Sequence, residues 1–389
     1  MNGKFSIISI DPIMRPKSFF INGGAGRVLC SIPALEKYQE EHPDEDFVIV
    51  CEGGTDFFKG HPTLYSHVYD NWHKNLFRDK IVNTDIETPE PYRIWEYYNQ
   101  KCNLSQAFDI AINKKGIREL QKPTIKLSRE EQIAGLFAVN EVREKTKKEK
   151  TVVFQPFGRG VQVIGNLIVD HSGRSFEYNN VINIIKKLQR KYSVILMTEL
   201  SLNLDSENMK EPVAIPQGVP IRHWAGIIKE ADLFIGCDSV GQHIAYSVDT
   251  PSVVVVGSTF KENISYPNYE KFDVLDMGEG LRVYDPIRVS YDEESLRVND
   301  GIMVMNDKIE DVIIKSSDKL MNRYYEKPKV NFIPPTQEQI KPSCCPPTMS
   351  GNSNPNLIPA LMENSNSNPL ENIGKSKTSG FANSINIKK

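Results

Sequence analysis

Long apolar runs are missing from this chain. None approaches the ~20 residues that a membrane-spanning helix needs, so contact with a membrane is expected to be peripheral. Residues 1–16 lack an apolar stretch of signal-peptide type and carry Asp11 and Arg15, so no secretory leader is expected. An excess of one charge is missing too. Lys and Arg number 47, Asp and Glu 50, and the formal net charge of −3 supplies no global attraction for nucleic acid. The six cysteines form no Cys-x-x-Cys pair and no zinc-type spacing with histidine, a pattern that suits a reducing cytoplasm. No obvious metal-ligand set and no short internal repeat stands out, so neither a resident metal nor a bound cofactor is expected.

What the chain has is length and ordinary polarity. Its 389 residues, 39% hydrophobic and 25% charged, are enough for two globular domains plus extras. The organising stretch is 231–245. It opens with the apolar run Leu233-Phe234-Ile235, the mark of a buried parallel strand. Small and polar residues follow from Cys237 to Gly241. A helical pattern then ends before Thr250-Pro251, and Ser252 to Gly257 reads as the next buried strand. This is one βαβ unit. Its turn lies at the carboxyl edge of the sheet, where open α/β sheets bind ligands. Free amides at the helix start suit an anion such as a diphosphate, with Asp238 and His243 flanking it. On residue pattern alone an equal alternative stands: Asp238 or Ser239 as a plain N-cap, and His243 as a packing residue.

The stretch resembles the signature of glycosyltransferase family nine, the ADP-heptose:lipopolysaccharide heptosyltransferases and their relatives. Asp238, Ser239, His243, Ile244, Ala245, Pro251, Gly257 and Thr259 fall in the order of that pattern. One departure is that Val240 stands where the family has Gly, with Gly241 one place later. An altered turn is expected there, because Gly allows dihedrals that Val does not. A second match is Gly26-Arg27-Val28-Leu29-Cys30-Ser31-Ile32-Pro33-Ala34-Leu35. The resemblance implies an acid after the glycine, acting as general base on the acceptor hydroxyl. Arg27 replaces it, and a guanidinium stays protonated. A cation at a helix N-terminus also opposes the macrodipole. Arg27 is therefore expected to contact a phosphate or carboxylate on acceptor or donor; the alternative is an exposed Arg with no role. For the missing base, Glu52, Asp56 and His61 follow the strand 47–51, and Asp56 is preferred. The alternative for Asp56 is an N-cap ahead of Phe57-Phe58.

Taken in order, 6–10 reads as a short edge strand, 18–21 as a strand, 22–27 as a glycine loop and 28–41 as a helix. A dinucleotide fingerprint is disfavoured, since Leu29 stands where its last glycine belongs. Residues 57–115 are rich in aromatics, which are more often core than sugar platform. A strand is expected at 68–70, and loop and helix over 89–113. Ser128 and Glu131 form a capping-type helix start. The mixed charges of 143–150 read as a solvated interdomain linker. A second domain opens with the strand 151–155 and the turn Pro156-Phe157-Gly158-Arg159-Gly160. Gly173-Arg174-Ser175-Phe176 precedes a helix at 179–192; 193–197 is a strand, and 216–230 is loop and helix. By resemblance, Arg159 and Arg174 meet the donor phosphates, although the family's Trp-Pro pair is absent after Arg174. Glu199, at the end of 193–197, meets the nucleoside. A preplaced cation stabilises a leaving diphosphate as its charge grows. Residues 260–269 read as a polar loop beside the cleft. A helix at 309–325 is expected to cross back to the first domain. The Pro-, Ser- and Asn-rich residues 330–389 read as a disordered, flexible tail; its lightly basic end, 373–389, could tether a protein partner, and a dispensable tail is the preferred alternative.

The resemblance implies an α/β protein with the GT-B arrangement of two facing Rossmann-like doubly wound domains. The expected divisions are an acceptor domain at 1–145, a donor domain at 146–329 and the tail at 330–389. The implied activity is inverting, metal-independent transfer of a sugar, heptose-like or other, from a nucleotide-diphosphate donor. An ADP-sugar is favoured as donor, and a glycan or lipid-linked hydroxyl is the acceptor. The donor site would comprise Arg159, Arg174, Glu199, Asp238, Ser239, Val240, Gly241 and His243, with Arg27 and Asp56 opposite. Two other readings stay open: an inactive nucleotide-sugar-binding or scaffold protein, and a nucleotide-sugar epimerase of the same architecture.

Overall fold

The computed structural model describes residues 15–165, 167–202, 204, 209–283, 299 and 301–324. The edge strand expected at 6–10 and the tail at 330–389 lie outside them. Two parallel sheets form, and their central strands are the apolar runs of the sequence. In the first lobe, β1 (Lys17–Ile21) pairs with β2 (Phe47–Cys51), setting Ile21 opposite Cys51. All five residues of β2 are buried, as a strand covered on both faces requires. β3 (Val68–Asp70) and β4 (Asp85–Glu87) complete the order β3-β2-β1-β4, every pairing parallel. α1 (Ala25–Glu41) connects β1 to β2. It begins three residues ahead of the expected 28, so Arg27 lies inside its first turn. α2 (Trp95–Tyr98) and α3 (Leu104–Asn113) follow β4. Phe57, Phe58, Tyr92, Tyr97 and Phe108 of the aromatic stretch are buried, while Trp72, Phe77 and Trp95 are exposed.

α4 (Arg129–Thr146) starts with the expected capping box: Ser128 accepts from the Glu131 amide, and Glu131 accepts from the Ser128 amide. The second lobe holds β5 (Thr151–Gln155) and the antiparallel hairpin β6 (Gln162–Ile164) and β7 (Leu167–Val169). Then come α5 (Tyr178–Leu188), β8 (Ser193–Leu196), α6 (Ile221–Glu230), β9 (Leu233–Cys237), α7 (Val240–Ser247) and β10 (Ser252–Val256). α8 (Lys261–Ile264), β11 (Phe272–Asp276) and α9 (Asp307–Tyr324) close the lobe. The parallel order is β11-β10-β9-β5-β8. β5 has β8 on one side and β9 on the other, so the chain order switches direction at β5 and β9. A crevice opens outside the carboxyl ends of strands at such a switch point.

Three local expectations are corrected by packing. The charged run 143–150 is only partly solvated: Glu144, Lys145, Lys147 and Glu149 are exposed, but Arg143 and Lys148 are held by the second lobe. Arg143 pairs with Asp232 at 2.7 Å, and Lys148 pairs with Glu211 at 2.5 Å while donating to the Tyr192 carbonyl at 3.3 Å. α9 does not return to the first lobe; it lies along α5. Its Glu310 accepts from Asn180 at 2.8 Å, and its Asp318 meets Lys191 at 2.6 Å. The polar loop 260–269 contains α8, whose Asn263 donates to the carbonyls of Tyr97 and Cys102 at 2.8 and 2.9 Å and so ties the lobes together. Among the described residues no helix is long and apolar enough to cross a membrane.

Candidate active-site cleft

The residues that follow β1, β2, β5, β8 and β9 line one cleft of about 840 Å³. Both sheets therefore turn their carboxyl edges toward the same space. Arg27, Asp56, Arg159, Arg174, Glu199, Asp238, Ser239, Val240 and His243 all line it. Gly241 does not.

On the second-lobe side, Ser239 is the N-cap of α7 with extended backbone, and its side chain makes no capping bond. Val240 is the first helical residue. Neither Val240 nor Gly241 has positive φ, so the exchanged Val and Gly leave the turn unstrained, against the expectation of altered geometry. Gly241 is needed for a different reason. A Cβ there would lie 2.6 Å from the Phe234 ring and collide with Gln155 Oε1, which accepts the Gly241 amide at 2.9 Å. Gln155 also reaches Ser239 Oγ at 3.3 Å. Sequence reasoning missed Gln155; its signal was a polar residue ending the central strand.

Asp238 is buried. Its Oδ2 accepts from Thr259 Oγ1 at 2.9 Å and its Oδ1 from Gln242 Nε2 at 3.3 Å. Burial pushes its carboxyl above the usual range, with the Arg174 charge opposing. Arg174 donates through Nε to Ser172 Oγ at 3.0 Å. Burial works against its charge, and Asp238 and Asp170 outweigh that effect. His243 is buried, with Nδ1 2.8 Å from Tyr266 Oη. Burial pulls its pKa down to about 4, so it is neutral at pH 7. It packs α7 against α1, since a Cβ on Gly26 would lie 3.5 Å from the His243 ring. Glu199 is exposed beyond β8.

On the first-lobe side, Arg27 is only 6% exposed, which removes the idea of an exposed cation. Its guanidinium lies 4.9 Å from the Tyr92 ring and 5.6 Å from the Phe108 ring, and Nη1 is 3.2 Å from Glu90 Oε1. None of its three nitrogens makes a hydrogen bond. Asp56 opens a 3₁₀ turn whose cap is Thr55, so it is not itself the cap; its carboxylate holds Lys59 at 2.5 Å. Glu52 also lines the cleft, is exposed, and accepts the Gly23 amide at 2.5 Å. His61 is used structurally: Nε2 meets Glu36 at 2.9 Å and Nδ1 accepts the Leu64 amide at 3.1 Å. Arg159, exposed on the second lobe, brings Nη1 to 3.2 Å from where a Cβ on Gly24 would stand.

One literal Asp-x-Asp string exists, Asp44-Glu45-Asp46, but it precedes β2 at the amino edge, away from the cleft. Asp46 meets His67 there at 3.7 Å. Among the described residues no group of three or more His, Cys, Asp or Glu side chains is arranged to hold a metal ion.

No family model matches the chain, and no curated protein matches its sequence. Solved structures do match its fold. The glycosyl transferase family 9 protein of Veillonella parvula DSM 2008 superposes with a TM-score of 0.55, covering 79% of this chain and 98% of that one at 13% identity. The iron-containing dodecameric glycosyltransferase TibC of enterotoxigenic E. coli H10407 gives 0.49, covering 80% and 78% at 13% identity. The E. coli ADP-heptose lps heptosyltransferase II gives 0.48, covering 79% and 99% at 9% identity. The chain shares the α/β fold of a family-nine glycosyltransferase, the GT-B arrangement of two Rossmann-like lobes about a cleft.

Proposed function

We propose that this chain is a glycosyltransferase that moves a sugar from a nucleotide-diphosphate donor to a hydroxyl of a glycan or lipid-linked acceptor, with inversion. The observation that carries the reading is the N-terminus of α7, whose N-cap Ser239 makes no capping bond and whose Gly241 amide is held by Gln155, beside Arg174 and Asp238 at the point where the strand order switches. A departing nucleoside diphosphate gains negative charge. A fixed guanidinium and a helix N-terminus stabilise that charge without reorganising. Ser172 orients Arg174 through Nε, which leaves the two terminal nitrogens for phosphate oxygens. Thr259 and Gln242 fix Asp238, which is suited to accept from sugar or ribose hydroxyls. Glu199 reaches the nucleoside, and an ADP-type donor follows from the resemblance at 238–259. Neutral His243 supports the turn. A first-lobe carboxylate, Asp56 or its neighbour Glu52, takes the acceptor proton.

Arg27 in the place of an acid favours a second reading, donor binding without turnover. Incubation with ADP-, GDP-, UDP- and CMP-sugars separates the readings. Release of nucleoside diphosphate from one class is expected, lost in Asp238→Ala and lowered about 100-fold in Arg174→Gln. An isomerised donor would identify an epimerase instead, and binding without either product would favour the scaffold.

A further inference from the structure

We propose that the N-terminus of α1 is an oxyanion subsite at which the acceptor presents a phosphate or carboxylate group. The proposal rests on the transferase reading above and names its substrate class. α1 is 17 residues long, has no side-chain cap and has no acid in its first turn. The amides of Ala25 and Gly26, at its first two positions, have no intrahelical acceptor, and both residues line the cleft. Their partial positive charge suits an anion.

The second observation is Arg27. A guanidinium carries five N–H donors, and here it is buried with no hydrogen bond. Tyr92 and Phe108 receive its face, and Glu90 makes one contact at 3.2 Å. Such a group is costly to keep unless something completes it. The third observation is Arg159, which reaches over Gly24 from the opposite lobe and is open to solvent. A Cβ at Gly24 would meet Arg159 Nη1 at 3.2 Å, a tight contact, whereas one at Gly26 would make only ordinary contact with Val240 Cα at 3.6 Å. One carboxylate, Glu52, sits on the Gly23 amide at the edge of the subsite. Arg174 and α7 are placed for the donor diphosphate. Arg27, Arg159 and the start of α1 form a positive surface that adjoins the start of α7 across Gly26 within the same cleft. The anion sits on the Ala25 and Gly26 amides with Arg159 in front, and draws Arg27 away from Glu90.

The full-length protein is titrated with sodium phosphate and, separately, sodium acetate at constant ionic strength, by calorimetry. Arg27→Met, Arg159→Gln and Arg174→Gln are compared with wild type. The expected result is binding of one anion, weakened at least about tenfold by Arg159→Gln and by Arg27→Met, and changed less than about threefold by Arg174→Gln. The tighter of the two anions names the acceptor group. Arg27→Met should lower Tm only modestly in anion-free buffer, because it removes a buried cation that lacks hydrogen bonds but also the ion-pair partner of Glu90. No binding of either anion, binding lost only in Arg174→Gln, or binding indifferent to Arg159→Gln would overturn the proposal. So would an Arg27→Met that melts far below wild type while Arg159→Gln binds normally, because Arg27 is then a structural partner of Glu90. Arg159 is exposed, so its variant folds and decides the matter even where Arg27→Met does not. ADP titrated in parallel against Asp238→Ala reports the donor site. A missing ADP response would sink the transferase reading and leave the anion result standing.

Discussion

His243 shows how burial sets a charge state. Its folded pKa of about 4 lies below the ordinary 6.5, so the unfolded chain takes up a proton first as pH falls. Stability from this group is complete above pH 6.5 and drains away toward pH 4, by on the order of 3 kcal/mol across the window. His243→Gln should flatten that part of a plot of Tm against pH; an unchanged slope would refute the assignment. Gly241→Ala should cost about 1–3 kcal/mol, because its methyl meets Gln155 and the Phe234 ring. A melting curve at wild-type Tm would mean that the turn yields. At this scale the sequence was partly readable. That Arg27 replaces an acid was plain from the chain; that it is buried was not, because Glu90, Tyr92 and Phe108 come from a distant segment. Asp238 and Thr259 were both visible in the pattern, but only folding joins them in a hydrogen bond.

At the scale of elements, the central strands were readable because they are continuous apolar runs, and α4 because it carries its own capping box. The crossing of α4 and α6 was not. There Gly135 and Gly226 bring two backbones together: a Cβ on Gly135 would lie 2.9 Å from the Ile227 amide nitrogen. Gly135→Ala and Gly226→Ala should each cost about 1–3 kcal/mol in chemical denaturation, and neutrality would contradict the contact. The start of α4 carries two roles of different size. Ser128→Ala removes only a cap and should cost about 1 kcal/mol. Glu131→Gln should cost more, since Glu131 Oε2 also holds Arg222 Nη2 at 2.7 Å and Arg222 is buried. The reverse order of the two midpoints would contradict this. The charged run 143–150 misled for a related reason. Its composition is that of an exposed segment, and its partners Asp232 and Glu211 lie far along the chain.

Across the whole molecule, two lobes meet around one cleft, and buried polar groups join them. Arg222 of α6 donates to the carbonyls of Asp56 and Lys59, tying the turn that bears Asp56 to the second lobe. Asn263→Ala would remove the Asn263 donor from the carbonyls of Tyr97 and Cys102, the former still accepting the Gln100 amide. The expected loss is about 1–3 kcal/mol, seen in urea midpoints; no loss would mean that the lobes do not depend on this tie. The two-lobed architecture was legible from one βαβ unit and its family pattern, since alternating strand and helix leave few topologies. How the far ends of each lobe interlock was not, because single Asn and Arg side chains make those contacts.

The most direct test of the central claim is a thermal-shift titration with ADP, GDP, UDP and CMP and their sugars, on wild type and Asp238→Ala. At a ligand concentration of about 100 times Kd, binding adds roughly 2.7 kcal/mol of stability. The account predicts a rise in Tm with one nucleotide class that vanishes in Asp238→Ala. Folded wild-type protein that responds to none of them would contradict the donor site at α7.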